Sequence, residues 1–213
     1  MTTVLNYFDC LLRKDDFETL NEGCWINDNI ISFVLEYLRH NMLMKRSDIL
    51  LLDPPLTQII KLSDPHTSFS LLDSLNCIDK DWIFHILNDS PSPTESGGTH
   101  WSLLLVSRSL SATYHLDSLS SGANCDSARL VARSMALYFN NPAFEKVQRL
   151  DVVEQINSSD CGVYTIVFLE FLCSKLLDND TSWKNTGLVS EFFHQQTASK
   201  RNSLKQLISS LSS

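Results

Sequence analysis

Residues 161–177 constrain the fold more than any other stretch of this chain. Val163, Tyr164, Ile166, Val167, Phe168, Phe171, Leu172, Leu176 and Leu177 put apolar side chains on most faces of a single helix. A helix with so little polar surface has to be buried, so other elements must cover it. The 213 residues suffice to do this as one domain, 1–213, with a substantial core.

What precedes this helix is polar: Gln155-Ile156-Asn157-Ser158-Ser159-Asp160-Cys161-Gly162. Ser159 or Asp160 serves as N-cap. Cys161 therefore sits at a helix N-terminus, where the positive end of the dipole favours a thiolate. Gly162 leaves room for a substrate backbone to pass close by.

Two short apolar runs supply possible partners for the thiol. Thr99 to Val106 begins with His100-Trp101, and Tyr114 to Ser118 contains Asp117. With Ser107–Ala112 as a turn, the runs read as a hairpin. A four-residue loop that sets Val106 against Ser111 brings His100 level with Asp117, with Cβ atoms roughly 5 Å apart. In that arrangement the carboxylate accepts the Nδ1 proton and Nε2 is the base. Gln155, six residues ahead of Cys161, is positioned to donate to an oxyanion beside the Cys161 N–H. One such donor is typically worth roughly 3 kcal/mol of barrier. Singly, each residue also fits a structural part: a small core thiol, a strand-edge histidine, a turn-forming aspartate. In combination they form a nucleophile, its base and the group that orients the base.

At these residues the chain resembles the ubiquitin-like-modifier proteases, cysteine peptidases of the adenain-like clan. The shared pattern is His100-Trp101, Asp117, and Gln155 followed by Asp160-Cys161-Gly162, with Trp25-Ile26-Asn27-Asp28 standing for an early Trp-Leu-Asn-Asp segment. The likeness runs from about Leu5 to Ser174. It implies a papain-like/adenain-like fold, and His100, Asp117, Cys161 and Gln155 as the catalytic set. It also implies a substrate-binding group of Trp25, Asp28 and Trp101, the tryptophans walling a channel that admits only Gly-Gly before the scissile bond. Ile86-Leu87-Asn88-Asp89 through Gly97-Gly98-Thr99-His100-Trp101-Ser102, with the short chain ahead of these motifs, is similar to the deneddylase branch, which removes the Nedd-type (Rub) modifier. The implied activity is precursor processing and deconjugation after Gly-Gly. The implied partners are that modifier and its conjugates, and the enzyme is expected to act as a monomer without a cofactor.

Composition narrows the alternatives. Lys and Arg total 17 against 25 Asp and Glu, a net charge of −8. Nucleic-acid binding is not expected from that balance without a basic stripe, whereas a basic protein partner suits it. The six cysteines lack Cys-x-x-Cys spacing, so no metal site is expected. No secretory signal or membrane-length apolar run is evident, so the thiols are expected reduced, in the cytoplasm or nucleus, with all but Cys161 structural.

Elsewhere, Asn27 or Asp28 caps a helix with Ile30, Ile31, Val34, Leu35 and Leu38 on its apolar face. Pro54-Pro55 opens another helix, Asp81–Asn88 reads as a strand, and Asn88–Thr99 as a mobile loop. Asp126–Phe139 carries Leu130, Val131, Ser134 and Leu137 at helical spacing, Lys146–Val153 reads as a strand, and Leu204, Leu207, Ile208 and Leu211 mark a terminal amphipathic helix. The expected class is α+β, a central mixed β-sheet flanked by helices. Three other activities compete: a SUMO-specific protease of the same family, an acyltransferase with the same His-Asp-Cys set, and a modifier-binding protein without turnover.

Overall fold

The computed structural model describes residues 2–92 and 97–212. Part of the loop expected at Asn88–Thr99, residues 93–96, thus lies outside the described residues.

The chain opens with an antiparallel hairpin, β1 (Thr3–Tyr7) and β2 (Cys10–Arg13), which the sequence pattern did not announce. A single turn, α1 (Lys14–Glu18), follows. Then comes α2 (Asp28–Asn41), capped by Asn27, whose side chain accepts the Ile30 N–H. The apolar face expected for α2 is buried as anticipated. A strand β3 (Ile49–Leu52) precedes α3 (Pro54–Leu62) and α4 (Pro65–Ser74), each with proline in its first turn. The centre holds β4 (Trp82–Asn88), β5 (Trp101–Ser107) and β6 (Ala112–Leu116). After them come α5 (Cys125–Tyr138), β7 (Val147–Arg149) and α6 (Cys161–Leu177). The chain ends in α7 (Trp183–Thr186) and α8 (Glu191–Leu211).

Five strands form one mixed sheet in the order β3-β4-β5-β6-β7, with parallel outer pairs and antiparallel inner pairs. Both faces are covered, which is why β4 and β5 read as nearly continuous apolar runs. Phe84, Ile86, Leu103 and Leu105 face one cluster that contains Ile31, Leu35, Ile166, Leu169 and Leu204 of α2, α6 and α8. Ile83, Leu87, Leu104 and Val106 face the other, with Ile60, Val131 and Met135 of α3 and α5. The buried position expected for α6 follows: from Cys161 to Leu169 it has no exposed residue.

Three sequence expectations are corrected. On α5 the sheet-facing side is Ala128, Val131, Ala132, Met135 and Ala136, while Leu130 and Leu137 are exposed. Small side chains let this helix lie close to the sheet, which the leucines would prevent. The strand expected over Lys146–Val153 shrinks to Val147–Arg149 because the chain then leaves β6, and Val152 bridges Leu188 instead. The third correction is the register of the central hairpin. Ser107, not Val106, opens the loop, and Val106 pairs with Thr113. Ser111 turns the chain with a positive φ of 47°, and its N–H bonds the Arg108 carbonyl. The pairing is thus displaced by two residues. An even displacement keeps every side chain on its expected face, so His100 and Asp117 remain together as diagonal rather than opposed neighbours.

Candidate active site

His100 lies just ahead of β5, and its backbone is fixed from two sides. The Asp89 carboxylate accepts the Thr99 N–H at 2.5 Å, the Thr99 hydroxyl at 2.7 Å and the His100 N–H at 3.1 Å. Asn124 donates to the His100 carbonyl at 3.2 Å. The imidazole is buried, and its Nε2 lies 2.6 Å from Oδ1 of the equally buried Asp117. The Leu119 N–H donates to the same oxygen at 2.9 Å.

This reverses the expected use of the ring. Nε2 faces the carboxylate, which leaves Nδ1 as the nitrogen for the thiol. The diagonal placement makes this possible, because the longer reach to Asp117 needs the far nitrogen of the ring. Burial alone lowers the pKa of His100, but the hydrogen bond it donates to Asp117 and the influence of Cys161 outweigh it and raise it to about 9. Burial works upward on Asp117, yet the His100 and Leu119 hydrogen bonds hold its carboxyl below the usual carboxylate range. The pair is therefore an imidazolium against a carboxylate at neutral pH.

Cys161 is the first residue of α6 and is buried. Asp160 takes the cap position, but its side chain makes no cap bond. It accepts Asn157 Nδ2 at 2.8 Å and is bound by Arg201 from α8. Gly162 has a different role from the one expected. A Cβ there would meet Ile26 and Trp101, both at 3.2 Å, so the residue lets the helix that begins at Cys161 press against the first motif.

The two tryptophans converge on this helix start. Trp101 donates its indole N–H to the Ile26 carbonyl at 2.9 Å, and Trp25, 51% exposed, donates to the Ser158 carbonyl at 3.0 Å. Asp28 is exposed in the first turn of α2, where its carboxylate accepts the Asn29 N–H at 3.1 Å. It touches none of the other site residues through a hydrogen bond. Gln155 is held beside the Asp117 segment. Ser118 donates to its Oε1 at 2.7 Å, and its amide Nε2 donates to the Asn157 carbonyl at 2.7 Å. One amide proton thus stays within the loop and the second is available to a ligand.

Gln155, Ile156 and Asn157 line a shallow cleft with Thr99, His100 and Leu119. Ile156 is 87% exposed, an apolar rim residue that the sequence reading passed over. An isoleucine set in a wholly polar loop was the available signal. Asp89, Ser118 and Arg201 were also missed, since their roles arise from tertiary contacts. His115, two residues before Asp117, faces Ser102 Oγ at 2.9 Å, and burial pushes it down to about 4, so it is neutral. The six cysteines are free thiols, and among the described residues no His, Cys, Asp and Glu cluster is arranged to hold a metal.

Comparison with known proteins follows the same lines. Residues 24–206 match the model of the Ulp1 protease family, C-terminal catalytic domain. Sentrin-specific protease 8 of Homo sapiens is 34% identical over 215 residues, 98% of this chain and 97% of the relative. NEDD8-specific protease 1 of Arabidopsis thaliana is 29% identical over 173 residues, 80% of this chain and 75% of the relative. The solved C-terminal protease domain of Ulp1, in complex with Smt3, the yeast ortholog of SUMO, superposes with a TM-score of 0.71 at 16% identity. That match covers 99% of this chain and 88% of the other, and it shows the fold.

Proposed function

The chain belongs to the Ulp1 protease family, and from that premise we propose that it cleaves after the C-terminal Gly-Gly of a Nedd-type modifier. It is a cysteine peptidase. In the proposed cycle the Cys161 thiolate attacks the glycine carbonyl and forms a tetrahedral oxyanion, which the free amide proton of Gln155 and the Cys161 N–H stabilise. His100, protonated and held by Asp117 through Nε2, gives its Nδ1 proton to the leaving amine as the C–N bond breaks. The resulting neutral imidazole takes a proton from water, whose hydroxide adds to the thioester. Collapse of that adduct releases the glycine carboxylic acid, which gives its proton to solvent, and the Cys161 thiolate, and His100 is left protonated. No cofactor takes part in these steps.

The observation that carries this reading is the buried His100–Asp117 pair at 2.6 Å, with Cys161 acting on the same imidazole. Trp25 and Trp101, both tied to the segments around Cys161, are suited to confine an extended Gly-Gly tail in which any Cβ would clash. The modifier assignment draws on the Arabidopsis relative's name and on the Ile86–Ser102 resemblance. The name of the human relative keeps a SUMO-type substrate as the second reading. Initial rates on Nedd-type, SUMO and ubiquitin substrates bearing a C-terminal fluorophore decide between them. A kcat/KM at least about a hundredfold higher for the Nedd-type substrate is expected, and a preference for SUMO overturns the assignment. Turnover that appears only with an acyl donor and an acceptor amine indicates a transferase.

A further inference from the structure

Arg201 lies 40 residues beyond the nucleophile, near the middle of α8, yet its guanidinium reaches the loop that carries Cys161. Nε and an Nη donate to Asp160 Oδ1 at 3.0 and 2.6 Å. The remaining donors go to main-chain carbonyls: Thr19 at 2.9 Å, Asn21 at 3.0 Å, Cys24 at 2.7 Å and Ser159 at 3.3 Å. Its side chain is only 11% exposed. One cation thus joins three parts of the chain: the terminal helix, the loop entering Trp25, and the two residues before Cys161.

The consequence for chemistry lies in what Asp160 does not do. An aspartate at an N-cap normally turns its carboxylate onto the first-turn N–H groups. Here it makes no such bond: its backbone, at φ −97° and ψ 9°, is not in the extended cap conformation, Asn157 Oδ1 accepts the Ser159 and Asp160 N–H groups at 3.0 and 2.9 Å, and the carboxylate is held by Arg201 and Asn157. A carboxylate on that helix end would compete with a thiolate or oxyanion for the same donors, and its charge would oppose both. We propose that Arg201 is a positioning residue: it neutralises the Asp160 carboxylate beside the start of α6, and it fixes the Trp25 loop against the nucleophile loop.

Other ionisable groups face this cluster. Glu22 comes from the Trp25 loop, and Glu191, His194 and Lys205 from α8. His100 and Asp117 stand on the sheet side of Cys161. Lys205 is engaged by Asn21 and His194 by Tyr164, so neither replaces Arg201 at Asp160.

The inference rests on Cys161 being the nucleophile, and its test does not need turnover. Peptide-resolved alkylation of Cys161 by iodoacetamide is followed against pH in the full chain. Arg201→Ala is expected to move the midpoint up by about one pH unit, a tenfold slower reaction below it. Asp160→Ala added to Arg201→Ala should restore most of that loss, since the released carboxylate is gone. Arg201→Lys keeps the charge but not the fork, so the midpoint should stay while the Kd of the intact modifier, read by titration calorimetry, rises about fivefold. An unmoved midpoint in a folded Arg201→Ala protein, or a double variant no better than the single, overturns the inference. Retained turnover in Cys161→Ala instead overturns the assignment of the nucleophile.

Discussion

The two halves of the active site are built by different means. His100 and Asp117 stand at neighbouring strand ends, where a ladder of backbone hydrogen bonds and two apolar clusters set their positions. Cys161 is fixed by its helix, but the segments around it, residues 19–27 and 155–160, are loops. They are joined by side chains that bond carbonyls, with Trp25, Trp101, Gln155 and Arg201 as the links. The acid-base half inherits the rigidity of the sheet, whereas the substrate half depends on single side chains. Damage to the first should therefore appear in kcat, and damage to the second chiefly in KM or in the ionisation of the thiol.

Removing the nucleophile gives the largest effect. Cys161→Ala is expected to abolish turnover while the modifier still binds, as titration calorimetry can check, because affinity rests on a wide surface. Next is the sheet half. Asp117→Asn should lower kcat by about 10³–10⁴-fold through the wrong imidazole tautomer, with KM little changed. A large rise in KM there would erase the contrast between the halves. Gln155→Ala probes their junction, since Ser118 next to Asp117 holds its amide. A fall of about 10²–10³-fold in kcat is expected for an oxyanion donor, and normal kcat with weakened binding would move the residue to the substrate half.

The smallest effect concerns the stability of the sheet half. His85, Leu104 and His115 lie level across β4, β5 and β6. Burial pushes His85 down to about 3 and His115 to about 4. Both folded values lie below the unfolded value of about 6.5, so the unfolded chain binds more protons between them. Their contribution is complete above about pH 6.5 and falls as pH drops toward 4 and then 3. His100 runs the other way: at about 9 its folded value is raised, so its contribution is complete below about pH 6.5 and is lost as pH rises through 9. Among the described residues, neither ring nitrogen of His85 has a hydrogen-bond partner. His85→Leu should consequently flatten the acid decline of Tm by scanning calorimetry and leave kcat nearly unchanged. An unaltered decline would place the acid sensitivity elsewhere.

The sequence displayed the sheet half and the helix that Cys161 opens well, because their signals are local. Apolar runs, proline-opened helices and the all-apolar helix after Cys161 follow from period and composition. The hairpin register needed the turn conformation at Ser111, so pairing was misplaced by two residues and the working ring nitrogen was assigned the wrong way round. The links of the substrate half were illegible for another reason. Arg201 and Thr19 are 182 residues apart, and a side chain bonding a distant carbonyl leaves no pattern in either segment. Gly162 looked like space left for substrate because its neighbours Ile26 and Trp101 are equally remote in sequence.

Asp89 carries a last consequence. By bonding Thr99 and His100 it closes the intervening segment at its base, so the base histidine is set by the clasp rather than by what the segment contains. Gln58 and Lys61 bond the Ser90 carbonyl at 2.9 and 2.7 Å, so the near side of the segment is anchored as well. A sequence change that leaves Asp89, Ser90 and Thr99 in place can then alter what the segment presents without moving His100.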